Sequence, residues 1–186
     1  MQRFEDVFGK YIEKNCYNAP LRESEVVGLQ IATEDNAIRV ALSSPCIIPY
    51  SAIAEAQRIL SMNLSARSVA ISARYPSELL GPEAFSLVID HLKAANVPVN
   101  GFFRRAEIMY DNRCFTVRLP EQTVTFLEPL ALPGKIAAQA EALFGIRPQV
   151  SFIPVPDYEL KPMDPRPTVV DDYIPETPPI PEEAPP

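Results

Sequence analysis

The chain has 186 residues, 47% of them apolar, with 17 basic and 24 acidic side chains, 21 Pro, 6 Gly, 3 Cys and no Trp. No apolar run approaches the ~20 residues a membrane span needs, and the charged start MQRFEDVFGKYIEK lacks the apolar centre of a secretory signal, so the cytoplasm is the expected compartment. Charge is uneven: the 33 residues from Pro154 on hold eleven prolines and eight acids against Lys161 and Arg166, a net of −6, and the first 153 residues net −1.

In chain order, Phe4, Val7, Phe8, Tyr11 and Ile12 make an apolar stripe of helical period, stopped by Asn15, Asn18 and Pro20. This predicts an N-terminal helix within residues 1–20, packed on the body that follows; the other reading is an exposed stripe that docks a partner. Leu29 and Ile31 alternate with polar neighbours, Asp35 and Asn36 supply turn chemistry, and Ile38, Val40 and Leu42 alternate again. A helix over 51–62 follows, with Ser51 as N-cap and Ile53, Ala56, Ile59 and Leu60 inward, then a strand through Val69, Ile71 and Ala73. Residues 21–75 thus read as a small β-β-α-β unit.

After Tyr75-Pro76, Pro82 opens a helix whose buried face is Phe85, Val88, Ile89 and Leu92, ended by Asn96 and Pro98. The period then becomes two: Ala106, Ile108 and Tyr110, a turn at Asp111-Asn112, then Phe115, Val117 and Leu119. Helices over 121–128 and 134–144 are separated by Pro129 and Pro133, Gly145 fits the C-terminal cap, and a strand spans 150–153. The fold class is α+β, and the order α-β-β-α-α-β over 76–153 is that of a type II KH domain. From Pro154 to Pro186 proline and acid prevail, which predicts a disordered, semi-rigid linker rich in polyproline II, leading to chain beyond Pro186; the other reading is a proline ligand for a partner groove.

The motifs of enzymes are missing. There is no GxxxxGK(S/T), GxGxxG, GxSxG or HExxH string, and His91 is the single histidine, on a helix where it is ordinarily solvated or half-buried. Cys16, Cys46 and Cys114 stand alone, which fits neither a disulfide framework nor zinc, and Asp171-Asp172 sit in the tail. No catalytic, cofactor or metal site is expected in this region. Arg104, Arg105, Arg113, Arg118 and Lys135 are the candidate contacts to nucleic acid or a partner; Arg147 belongs to the same basic set. A KH domain clamps nucleic acid with a GXXG loop, whereas residues 128–133 hold no glycine pair and only Gly134 is near.

The strings SSPCIIPYSAIAEAQRIL, AEIMYDNRCFTVRLPEQ, LFGI and QVSFIPV, followed by an acidic proline-rich tail, carry a resemblance to the N-terminal region of PolC-type DNA polymerase III. The resemblance spans about residues 1–153. It implies a fragment of a long DNA-directed DNA polymerase (a nucleotidyltransferase) with a 3′–5′ exonuclease, whose catalytic residues map to no position here. By it, the first unit resembles the polymerase-binding domain of the clamp-loader tau subunit. The implied role is non-catalytic docking of replisome proteins such as tau, with DNA reached through the full-length protein. The alternatives are a stand-alone KH-like protein binding single-stranded nucleic acid, and an adaptor acting through its tail.

Overall fold

The computed structural model describes residues 2–13, 18–99, 101–156 and 160. The N-terminal stripe does bury, though not as one helix. Strand β1 (Gln2–Arg3) leads into α1 (Phe4–Phe8), and a second short helix, α2 (Ala19–Glu23), starts where Asn18 accepts a hydrogen bond from the Leu21 N–H at 3.1 Å. Asn18 and Pro20 therefore open a helix instead of ending one. Phe4, Phe8 and Ile12 are all buried, and the segment is tied down by the Phe4 N–H donating to Ser24 O and the Asn63 side chain donating to Tyr11 O.

The first sheet has the order β1-β2-β3-β4, with β2 (Glu25–Ala32), β3 (Ala37–Ser43) and β4 (Ser68–Arg74). β2 and β3 are antiparallel; β3 and β4 are parallel, joined by α3 (Tyr50–Asn63). Helix α3 starts at Tyr50, with Pro49 rather than Ser51 in the cap position. Its Ile53, Ala56 and Leu60 are buried, as are Val69, Ile71 and Ala73 of β4. The outer edge of β4 is partly closed by a side chain: the Ile71 N–H donates to Gln57 Oε1 at 2.8 Å.

The second unit repeats this wiring with an extra helix. After α4 (Ala84–Ala94), β5 (Glu107–Asp111) and β6 (Cys114–Pro120) form an antiparallel hairpin. α5 (Glu121–Leu127) and α6 (Leu132–Phe144) then cross to β7 (Gln149–Val155), which lies parallel to β6. The α-β-β-α-α-β order and mixed sheet of a KH type II-like unit are both present. The hairpin turn is Asn112-Arg113, one residue later than the sequence pattern placed it, with φ of 48° and 60°. Positive φ at both central residues matches the twist of a two-residue hairpin. Phe115, Val117 and Leu119 are fully buried beneath α4, α5 and α6.

One apolar core runs through both units. Tyr75, at the end of the first sheet, donates its N–H to Leu143 O at 2.8 Å, satisfying a carbonyl in the last turn of α6. Its ring lies 5.4 Å from Phe144, and its hydroxyl donates to Ile48 O at 3.4 Å.

Two sequence boundaries move. Pro133 lies inside the first turn of α6, which begins at Leu132. The last strand continues past Ile153, pairing Pro154 with Leu119 and Val155 with Pro120, and Val155 is buried. Proline is tolerated there because β7 is an edge strand. The proline-rich tail expected from Pro154 thus begins later; apart from Leu160, which is buried, its residues after Pro156 lie outside the described residues. A chain ended at Ile153 should melt about 5 °C lower, because burying a valine is worth about 2 kcal/mol and each kcal/mol moves a midpoint by about 2–4 °C in a domain of this size. Calorimetry of the two chain lengths checks this, and equal midpoints would place the strand end at Ile153.

Candidate functional site

The hairpin separates the arginines that the sequence lists together. Glu107 pairs with Arg118 at one end of the β5–β6 ladder, and Asp111 pairs with Cys114 at the other. Arg113, in the turn, is five residues from Arg118, about 17 Å along an extended strand. The α4–β5 loop delivers Arg104 and Arg105 to the Arg118 end, just ahead of Glu107. Arg118 is engaged by the Glu107 carboxylate across the strands, at 2.7 Å. Arg147 is held by Glu141 at 3.0 Å, and Lys135 is exposed in the first turn of α6. The α5–α6 connection turns through Ala131, with φ of 49°, and carries no glycine pair.

Arg104 and Arg105 line a cleft of about 270 Å³ with Gly101, Phe102, Gln122 and Thr123. Arg104 also lines a neighbouring cleft of about 410 Å³, whose walls include Phe85, Lys93 and Phe103. The Phe102 ring packs 5.2 Å from Phe126, which is 59% exposed. Sequence reasoning passed over both rings. The signal was the aromatic doublet in GFFRR and the position of Phe126, off the Val124/Leu127 face of α5.

The first unit exposes a different kind of surface. β1 pairs with β2 only at Glu25 and Val26, so among the described residues the β2 edge from Val27 onward has no strand beside it. A bulge at Val27 resets the alternation, placing Leu29 opposite Val40 and Ile31 opposite Ile38 on the inward face. Yet Leu29 is 47% and Ile31 66% exposed. The buried rows that run across β4 and β3 therefore end in apolar side chains open to solvent.

His91 is half-buried on α4, its ring edge-on to Tyr50 at 4.8 Å. It borders a cavity of about 480 Å³ between the first sheet and α6, lined also by Ala41, Ser72, Arg74 and Gln139. Its Nε2 is buried with no hydrogen-bond partner among the described residues. Burial holds the His91 pKa below its ordinary 6.5, against a smaller upward pull from Asp90. Burial likewise pushes the Tyr75 hydroxyl up to about 12. Cys46 and Cys114 are free thiols, and Cys16 lies outside the described residues. Among the described residues no cluster of His, Cys, Asp and Glu could hold a metal, and no helix is long and apolar enough to cross a membrane. No protein-family model and no curated protein matches the chain.

As pH falls below 6.5 the unfolded chain takes up the His91 proton before the folded one does. The stability carried by neutral His91 is complete above pH 6.5 and is lost as pH drops toward the depressed folded value. Urea midpoints at pH 7.5 and 5.5 should therefore differ more for the wild type than for His91→Gln, and equal differences would show that His91 is solvated.

Proposed function

We propose that this chain is the non-catalytic N-terminal interaction region of a PolC-type replicative DNA polymerase, a cytoplasmic docking module for replisome proteins. On this reading the parent protein is a DNA-directed DNA polymerase with 3′–5′ exonuclease activity, and this part holds a partner such as the clamp-loader tau subunit. The observation that carries the docking role is the open β2 edge, where Val27, Leu29 and Ile31 are all substantially exposed beside backbone that pairs with no second strand among the described residues. An edge of this kind accepts an extended segment: main-chain hydrogen bonds supply affinity, and alternate side chains continue the buried rows and supply selectivity. The strings behind the resemblance also fall on the elements that build the two units. The first covers the end of β3 and most of α3, the second the β5–β6 hairpin, and QVSFIPV is β7.

Purified tau subunit titrated against the immobilised chain tests the proposal. Tau should bind, the double variant Leu29→Glu/Ile31→Glu should bind at least tenfold more weakly (about 1.4 kcal/mol or more), and its circular dichroism should match the wild type because both side chains already face water. Binding through an apolar edge should persist in 0.5 M salt. Absence of tau binding, or equal affinity of the double variant, counts against the reading.

A further inference from the structure

We propose that the α4–β5 loop and α5 together form a site for single-stranded nucleic acid, with Phe102 and Phe126 as a stacking platform for bases and Arg104 and Arg105 as contacts to phosphates. This goes beyond partner docking, and it lies on the other unit from the β2 edge.

The loop gives two adjacent phenylalanines different partners. Gly101 takes a φ of 76°, and the chain turns back on itself, with the Arg104 N–H donating to Gly101 O and the Ala106 N–H to Phe103 O. Phe103, half-buried, packs against Phe85 and Phe152, at 5.4 and 6.0 Å. Phe102, half-buried as well, packs on the other side against Phe126, tilted 35° to it. Phe126 is the one aromatic among the seven large apolar side chains left exposed in the described residues. The core does not account for its exposure, since Val124 and Leu127 already turn α5 toward the interior.

The Arg104 guanidinium beside the rings is not held by a carboxylate among the described residues, unlike five other basic side chains. Arg22, Arg58, Lys93, Arg118 and Arg147 each meet a carboxylate. Arg104 has no ion-pair partner among the described residues, and it stands where the two clefts meet, with Gln122 and Thr123 as further donors on the wall. Every nucleobase offers a π-face to an aromatic ring, and a backbone running past Arg104 and Arg105 places phosphates on the guanidinium groups. A carboxylate-rich peptide would pair with the arginines but would leave the ring pair unused. The clefts, at about 410 and 270 Å³, suit splayed single nucleotides better than a duplex.

The test is fluorescence anisotropy of labelled dT15 with the 186-residue chain at 50 and 200 mM NaCl. Two phosphate contacts to a single strand predict binding about sevenfold weaker at the higher salt. Phe126→Ala should weaken binding at least fivefold at both concentrations with the salt slope unchanged. Arg104→Ala should weaken it and roughly halve the slope, and Arg113→Ala, at the far end of the hairpin, should change neither. Four results overturn the proposal: no binding at 50 mM salt; full binding by Phe126→Ala; equal losses from Arg104→Ala and Arg113→Ala, which signify diffuse charge; or displacement by polyglutamate as effective as by unlabelled dT15. Should Phe126→Ala fail to fold, the arginine pair of variants decides, since both side chains are exposed.

Discussion

The junction at Tyr75 governs the arrangement of everything else. A tyrosine that ends one sheet gives its N–H to a carbonyl in the last turn of α6, its ring to Phe144 and its hydroxyl to the chain before α3. Water is excluded from all three contacts, because Tyr75 is only 5% exposed. The two units are separate in wiring but joined in solvation: neither could move away without exposing apolar surface from both. Helix α4 reflects this. Its Phe85 meets Phe103 and Phe115 of the second unit, and its His91 meets Tyr50 of the first.

Sheet and helix positions were largely legible, because alternation and the 3.6 period are local properties of the chain. Val69, Ile71 and Ala73, and again Phe115, Val117 and Leu119, are buried as their spacing requires. What the pattern hid was the third dimension. Leu29 and Ile31 have the spacing of buried residues and do face the core side, but beyond Val26 β2 has only β3 beside it among the described residues, and no local rule distinguishes that from a central strand. In α4 the expected stripe was too narrow, since Ala84 and Leu87 are buried as well; a helix packed on two sides buries more than one face. Proline misled three times. It was taken as a stop at Pro154, Pro133 and Pro20, where an edge strand and the first turns of two helices accept it.

The candidate site was legible as composition and illegible as geometry. Five basic residues were named from sequence, but a hairpin sends Arg113 to the end opposite Arg118, and an ion pair engages Arg118. The aromatic pair beside Arg104 escaped notice because Phe102 and Phe126 are 24 positions apart and meet only through the tertiary fold. The two exposed surfaces also differ in physics. Docking as proposed on the β2 edge would draw on desolvation and backbone pairing, which salt barely touches; binding as proposed around Arg104 would draw on charge, which salt weakens.

Gln57 has an effect well away from its own helix. By occupying the Ile71 amide it partly blunts β4, which leaves β2 beyond Val26 as the more open margin of the first sheet among the described residues. Fibrils need two growing margins per molecule, one for each neighbour. A pair of such molecules joined through β2 would present only the blunted β4 margins, so each further addition through this sheet would forgo a ladder hydrogen bond at Ile71.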